Sequence, residues 1–187
     1  MGYMNAVSTA RQIRNVALVG FMGTGKTVVG QLVASQLHYE FLDTDEIIVT
    51  RTGRQISDIF NTEGEPAFRE HESAAIAELA QCHGSVISAG GGAVLDERNL
   101  SSLKSHALVV CLWASAEAIW ARVRGQTHRP LLVGPEPLGK IQQLLAERAP
   151  FYRKADVLVN TELRSVKEVA QQVIHQFRTV QPQLTQQ

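Results

Sequence analysis

The sequence is poor in features that mark several classes of protein. It contains only two cysteines, Cys82 and Cys111, which lie in separate segments with no C-x-x-C pair and no metal-ligand spacing. The six histidines show no ligand spacing either. We therefore expect two reduced thiols that behave as small buried side chains, and neither a disulfide framework nor a zinc site.

Long apolar runs and an excess of one charge are also missing. No stretch approaches the ~20 consecutive apolar residues that a membrane span requires, and the beginning of the chain has no secretory signal. Basic and acidic residues number 18 each, so no net field favours nucleic acid or anionic lipid. We expect a cytoplasmic monomer that binds small molecules, with neither a nucleic-acid partner nor a membrane partner.

The length of 187 residues and the 44% content of hydrophobic residues suit one domain with a substantial core. We predict this domain over residues 14–180, with flexible tails over 1–13 and 181–187. Residues 125–137 contain two glycines and three prolines, which disfavour a helix. We predict a lid there that carries Arg129, and the alternative is a plain surface loop.

Five short apolar runs alternate with segments that show helical patterns. The predicted strands are 16–19, 39–42, 85–89, 108–113 and 157–159. Such alternation predicts an α/β fold in three layers, with a central five-stranded parallel sheet and helices on both faces. Helices are predicted over 26–37, 45–52, 66–82, 96–105, 116–123, 138–148 and 166–180. We assign Trp113 and Trp120 to the core.

The most specific motif is Gly20-Phe21-Met22-Gly23-Thr24-Gly25-Lys26-Thr27, which matches the phosphate-binding P-loop, G-x-x-x-x-G-K-[ST]. It lies between a predicted strand and a predicted helix, which disfavours an ordinary glycine-rich turn. Its glycines let backbone N–H groups point at phosphate oxygens, while Lys26 adds a cation and Thr27 a hydroxyl for Mg²⁺. We expect a nucleotide to bind Gly23, Thr24, Gly25, Lys26 and Thr27.

Two carboxylates, Asp43 and Asp45, follow the second strand at the sheet edge where ligands of open α/β sheets bind. The third strand runs into glycine, so it offers no acidic residue to support a metal. Asp43 is therefore the candidate metal ligand beside Thr27, and Asp45 is the candidate general base for an acceptor hydroxyl. The alternative is that Asp45 only caps the following helix.

Arg69 and Arg148 are candidates for binding an anionic acceptor, because a guanidinium binds a carboxylate through two hydrogen bonds. Each can equally be a solvated surface arginine, and the sequence alone does not bring them together. The run Gly90-Gly91-Gly92 predicts either a close approach of backbone to ligand or a tight turn.

These motifs, in this order, resemble the shikimate kinase family over roughly residues 14–175. The match comprises the P-loop, 43–45, 64–69 with Glu72, 90–94, 129–132 and 147–152. The resemblance implies the P-loop kinase fold with a mobile lid. It also implies transfer of the γ-phosphoryl group of MgATP to the 3-hydroxyl of shikimate, on the route to chorismate and the aromatic amino acids.

The resemblance further implies roles for individual residues. Shikimate would be bound by Asp45, Arg69, Gly90, Gly91, Gly92 and Arg148, between apolar walls formed by Phe60 and Phe68. The catalytic residues would be Asp45, Lys26 and Arg129, with Arg129 reaching the ATP phosphates from the lid. The adenine side of ATP would be bound by Arg122 and Arg164. Two alternatives stay open: another small-molecule kinase, similar to gluconate kinases, and a catalytically silent nucleotide-binding module.

Overall fold

The structure, a computed structural model, describes residues 11–125 and 136–181. Its centre is a parallel sheet of five strands in the order β2-β3-β1-β4-β5. The strands are β1 (Asn15–Val19), β2 (Glu40–Asp43), β3 (Ser85–Ser88), β4 (Ala107–Trp113) and β5 (Val157–Asn160). The predicted five-stranded parallel sheet is therefore confirmed.

Helices cover both faces of this sheet. Those of the described ranges are α1 (Lys26–Leu37), α2 (Thr44–Thr52), α3 (Ile56–Leu79), α4 (Glu97–His106), α5 (Ala116–Val123), α6 (Pro137–Tyr152) and α7 (Val166–Val180). Helices α1 and α7 pack against one face, and α3 to α6 contribute to the core on the other. Because both faces are covered, the central strands are continuous apolar runs without alternation.

Helix α3 differs from the prediction of a helix that begins at Pro66. It begins at Ile56 and contains one non-helical residue, Gly64, with φ 84° and ψ 174°. This positive φ suits glycine because it has no Cβ. Pro66 then lies in the first turn after the break, where its missing N–H breaks no helical hydrogen bond. The proline signal thus marks the point where the helix resumes, and the turns before it were not predicted.

The assignment of Trp113 to the core is wrong. Its side chain is 45% exposed, whereas the six preceding residues of β4 are all buried. Trp113 is the last residue of β4, at the carboxyl edge of the sheet. Trp120 is partly buried and packs against the core.

The described part of the predicted N-terminal tail contacts the sheet. The Arg11 guanidinium donates to both carboxylate oxygens of Asp156, at 2.9 and 3.0 Å, and Ile13 packs against the core under α1 and α7. Residues 126–135 of the predicted lid, and 1–10 and 182–187 of the tails, lie outside the described residues. No helix in the described ranges is long and apolar enough to cross a membrane.

Candidate active site

The P-loop connects β1 to α1 at the carboxyl edge of the sheet. Gly25 precedes α1 with φ 94°, and among the described residues no side chain caps this helix and no acidic residue lies in its first turn. The unbonded N–H groups and the positive end of the helix dipole therefore face the loop, as in anion-binding helices. A Cβ on Gly20 would clash with the carbonyl oxygen of Leu112, so the loop backbone packs directly against β4.

The Lys26 ammonium lies within this loop. Its Nζ donates to the carbonyl oxygens of Gly20, at 2.8 Å, and Phe21, at 3.1 Å. Thr24 closes the same turn by donating from Oγ1 to the Phe21 carbonyl oxygen at 2.7 Å. These bonds keep a positive charge inside the loop, at the position where phosphate oxygens would bind.

Asp43 lies opposite the first turn of α1. Thr27 donates from Oγ1 to Asp43 Oδ2 at 3.5 Å, while Asp43 Oδ1 accepts from the Asp45 amide at 3.0 Å. Asp43 is therefore the cap of α2. The alternative in which Asp45 caps this helix is wrong, because α2 begins one residue earlier than predicted, at Thr44.

The donor set around Asp43 and Thr27 fits a small hard cation. A hydroxyl and a carboxylate are the ligands that Mg²⁺ prefers, and such sites are usually completed by water and phosphate oxygens. The described residues contain no cluster of three or more His, Cys, Asp or Glu side chains that would form a complete protein cage for a metal. The pair is consistent with a metal that binds together with a nucleotide.

Asp45 lies in the first turn of α2 and faces the glycine loop. A Cβ on Gly90 would lie 3.4 Å from Asp45 Oδ1 and would clash with Glu72 Oε1. Only glycine therefore leaves room for both carboxylates at this position. The loop is also tied to α2 by Thr44, whose Oγ1 donates to the Ser88 carbonyl oxygen at 3.3 Å and accepts from the Gly90 amide at 3.1 Å.

Arg69 is held in place by two glutamates of its own helix. Its Nη1 donates to Glu72 Oε2 at 2.7 Å and its Nη2 to Glu65 Oε1 at 2.8 Å. The guanidinium lies directly against Gly92, where any Cβ would clash with it. The third glycine thus gives the arginine access to the loop.

Arg148 approaches the same loop from α6. It is 7% exposed, its Nη1 donates to the Gly91 carbonyl oxygen at 3.4 Å, and its Cζ lies 5.5 Å from the centre of the Phe21 ring. Tyr152, one turn further along α6, donates from its hydroxyl to the same carbonyl oxygen at 2.6 Å. The structure therefore brings the two predicted arginines to the same glycine loop, Arg69 at Gly92 and Arg148 at Gly91.

Burial controls the electrostatics of this cluster. Burial of Glu72 raises the pKa of its carboxyl group, against the Arg69 charge that lowers it, and the negative charge of Asp45 raises it further. Burial alone would lower the pKa of Arg69, but the charges of Glu72 and Glu65 outweigh it and raise this pKa. Burial also raises the pKa of Tyr152 to about 12, so its hydroxyl stays protonated.

The predicted apolar walls, Phe60 and Phe68, come from the two sides of the break in α3. Their ring centres are 4.8 Å apart, and Phe68 is 5% exposed. The Arg69 guanidinium lies 5.2 Å from the centre of the Phe68 ring. The two phenylalanines therefore form one apolar surface beside the Arg69 guanidinium.

The residues predicted for the adenine side differ in position. Arg122 bridges the P-loop and the end of β5, since Nη1 donates to the Gly23 carbonyl oxygen at 3.3 Å and Nη2 to that of Thr161 at 2.7 Å. Arg164 donates to Gln172 of α7. Arg129 lies outside the described residues. The roles of all three in nucleotide binding stay predictions.

The sequence analysis gave no role to three residues of this cluster: Thr44, Glu72 and Tyr152. Glu72 follows Arg69 by three positions on a helix, a spacing that places both on one face, so an ion pair could have been predicted. Thr44 and Tyr152 act through backbone atoms of the glycine loop, and only the tertiary structure brings them there.

A P-loop on a covered parallel sheet, with two arginines and two carboxylates at the same edge, is typical of a nucleotide-binding protein that also binds a small acidic molecule. The shikimate kinase family model matches residues 22–178. Shikimate kinases of Thermodesulfovibrio yellowstonii and Pseudomonas aeruginosa are 42% and 43% identical over 88% and 90% of this chain, and over 95% and 98% of their own lengths. The chain therefore belongs to the shikimate kinase family.

Solved structures agree with this assignment. A shikimate kinase from Acinetobacter baumannii in complex with shikimate superposes with a TM-score of 0.85 and 36% identity, covering 90% of this chain and 95% of the other. A gluconokinase from Sinorhizobium meliloti has a TM-score of 0.59 and 18% identity, over 91% of this chain and 95% of its own. The second likeness shows a shared fold alone.

Proposed function

We propose that this protein transfers the γ-phosphoryl group of MgATP to the 3-hydroxyl of shikimate, giving shikimate 3-phosphate and ADP. The family makes the chain an ATP-dependent kinase with an alcohol acceptor. The observation that carries the choice of acceptor is the convergence of Arg69, Arg148 and Asp45 on the glycine loop, next to the P-loop. This set suits a molecule with a carboxylate and hydroxyl groups.

The two arginines would bind the carboxylate of shikimate, and Asp45 would accept the proton of the attacking hydroxyl. Glu72 adds a second polar contact: its Oε1 is buried and has no hydrogen-bond partner among the described residues. A buried acceptor atom of this kind is usually satisfied by a donor, and a hydroxyl of the substrate would supply one. Phe60 and Phe68 would pack against an apolar face of the ring.

On the phosphate side, Lys26 and the N terminus of α1 would neutralise the charge that develops on the transferred group. Thr27 and Asp43 would hold Mg²⁺, which supplies further neutralisation of the phosphate oxygens when bound. Gly23, Thr24 and Gly25 would bind phosphate through their amides. Arg129 would reach the phosphates from the lid, and Arg122 and Arg164 would lie at the adenine. The expected setting is a cytoplasmic monomer.

The test is ADP release from MgATP by the purified protein, with and without shikimate. We expect release that depends on shikimate and is not supported by gluconate. Asp45→Asn should lower kcat by about 10²–10⁴-fold, the usual contribution of a general base. Asp58→Asn is the matched control, because Asp58 is an exposed aspartate in the first turn of another helix and should leave kcat unchanged.

Two outcomes would contradict the proposed function, and a third would contradict only the role of Asp45. ATP binding without turnover on any acceptor would indicate a silent nucleotide-binding module. Turnover on gluconate alone would indicate the other kinase class. Full activity of Asp45→Asn would remove the proposed role of this carboxylate while leaving the acceptor assignment in place.

A further inference from the structure

The carbonyl oxygen of Gly91 receives two donors from one helix. Tyr152 donates from its hydroxyl at 2.6 Å, and Arg148 donates from Nη1 at 3.4 Å. The two residues are four positions apart on α6, so both lie on the face that meets the glycine loop. One acceptor atom is therefore shared by an arginine of the proposed carboxylate site and by a residue with no assigned role.

The two bonds differ in strength. A separation of 2.6 Å is typical of a good hydroxyl-to-carbonyl bond, whereas 3.4 Å lies beyond the usual range for a guanidinium N–H. The Tyr152 hydroxyl therefore holds the carbonyl, and Arg148 contacts it only weakly. Arg148 can leave this contact for a carboxylate, with which it would form stronger, charge-assisted bonds.

Gly91 is also placed against the nucleotide loop. A Cβ on Gly91 would lie 3.5 Å from both the Gly20 carbonyl oxygen and the Met22 amide nitrogen. Arg148 Nη1 lies 3.9 Å from the same Cβ position, so Gly91 is close to both the P-loop backbone and the Arg148 guanidinium.

We propose that Tyr152 is a positioning residue, whose hydroxyl keeps the Gly91 carbonyl satisfied so that Arg148 is released to bind the carboxylate of the acceptor. Without this hydroxyl, Arg148 would be the remaining side-chain donor to a partly buried carbonyl, and binding the acceptor would take that donor away. Tyr152 therefore affects binding of the acceptor and not binding of ATP. This inference rests on the proposed function.

The hydroxyl is suited to this task because it does not ionise at working pH. Burial raises its pKa to about 12, while the Arg148 charge and a hydrogen bond between Arg148 and the hydroxyl oppose the rise, so the hydroxyl also contacts the guanidinium directly. Its donor proton is present over the whole pH range in which a kinase assay is run. The residue is 7% exposed, so water has little access to replace the hydroxyl.

The test compares Tyr152→Phe with Tyr39→Phe in the full-length protein. Tyr39 is the matched control: its ring packs edge-on against Phe177, and its hydroxyl accepts from Gln181, on the other face of the sheet. Shikimate affinity is measured by calorimetry, and KM for shikimate, KM for ATP and kcat by ADP release. We expect Tyr152→Phe to weaken the binding of shikimate about three- to tenfold, which is the effect of losing one hydrogen bond. The KM for ATP and kcat should each change less than about twofold.

A second comparison tests whether the Tyr152 hydroxyl acts on shikimate binding through Arg148. In an Arg148→Lys background the same Tyr152→Phe change should alter shikimate affinity less than about twofold, because the interaction that it serves has already been removed. Thermal unfolding of each variant reports whether the fold is kept. Tyr152→Phe retains the packed ring, so its unfolding midpoint should stay within the range of the Tyr39→Phe control.

Several results would overturn the inference. Equal shikimate affinity in Tyr152→Phe and Tyr39→Phe would show that the hydroxyl has no positioning role. Equal rises in both KM values, or a lowered unfolding midpoint with the same affinity change in the Arg148→Lys background, would show a general structural role. A wild-type protein that neither binds nor phosphorylates shikimate would instead refute the proposed function, and this inference with it.

Discussion

The two edges of the sheet differ in how their buried polar groups are bonded. At the amino edge, Asn15 donates to the Cys82 carbonyl oxygen at 2.7 Å and accepts from the Ser85 amide at 2.9 Å. Asp156 accepts from the Val109 amide at 2.9 Å as well as from Arg11. Side chains there complete the hydrogen bonding of the backbone where strands begin.

At the carboxyl edge the charged groups are held in ways that a ligand can replace. Lys26 is bonded to carbonyl oxygens of its own loop, Arg148 to Gly91 over a long distance, and Glu72 keeps one oxygen without a donor among the described residues. The comparison teaches that polarity and burial do not by themselves mark a site. The amino edge also has one buried atom without a hydrogen-bond partner among the described residues, Nε2 of His106. What distinguishes the carboxyl edge is that charged side chains, a lysine, an arginine and a glutamate, have bonds there that a ligand could replace or complete.

The largest effect is expected at Lys26. Lys26→Ala removes the cation from the P-loop and should lower kcat/KM by about 10²–10³-fold, the scale seen when one preorganised donor to a transition state is deleted. The free energy of unfolding should change little, because the loop keeps its glycines and the Thr24 bond. Steady-state kinetics and thermal unfolding measure the two quantities. Lys140→Ala, at an exposed position of α6, is the control.

The opposite pattern is expected at Asp156 on the amino edge. Asp156→Ala leaves the Val109 amide without its side-chain acceptor and releases Arg11, so we expect a loss of about 1–3 kcal/mol in the free energy of unfolding. The kcat/KM of the folded enzyme should be unchanged. Denaturant unfolding and kinetics of the same samples test this, with Asp58→Ala as the exposed control. A fall in kcat/KM at unchanged stability would break the distinction between the edges.

A smaller effect is expected from Thr44, which is fully buried at the carboxyl edge. Thr44→Val keeps the shape but leaves the Gly90 amide without its acceptor, and should lower kcat/KM for shikimate about tenfold. Thr44→Ser retains the hydroxyl and should restore most of the activity. If both variants behave alike, the packing of Thr44 matters and its hydrogen bonds do not.

The smallest effect concerns pH and the amino edge. Burial lowers the pKa of His106, and the charges of Arg14 and His83 lower it further. The unfolded chain therefore binds a proton near pH 6.5, where the folded protein does not. Stability contributed by the neutral ring is present above about pH 6.5 and is lost as the pH falls toward the lowered pKa of the folded state. Denaturant unfolding between pH 5 and 8 measures this loss.

His106→Gln should flatten this part of the profile of stability against pH, because it removes the titrating group. The glutamine keeps an acceptor for the side-chain amide of Asn15, whose Nδ2 lies 2.9 Å from His106 Nδ1. His175→Gln, at an exposed position of α7, should leave the profile unchanged. An unchanged profile in His106→Gln would assign the pH dependence to other groups.

The P-loop and the sheet could be predicted because their signals are local. Glycine spacing, one lysine and five apolar runs are each contained in a few consecutive residues. A shared binding site for Arg69 and Arg148 could be predicted only through the resemblance. The two arginines are far apart in the sequence and are brought to one loop by the packing of α3 and α6. The alternative cap of α2, Asp45, lies two residues after the observed cap, Asp43, since both are equally good capping residues and only the backbone conformation distinguishes them.

The break at Gly64 has a consequence for local stability. Helices α2 and α3 share a small core formed by Ile48, Ile59, Phe68 and Ala75, and Ile47 joins it to one of the two larger cores on the faces of the sheet. Regions with few buried contacts open at a lower free energy than the strands of a central sheet. We therefore expect the helical turns around Phe60 to exchange their amide hydrogens faster than the strands of the central sheet, so that this apolar surface would loosen before the sheet does.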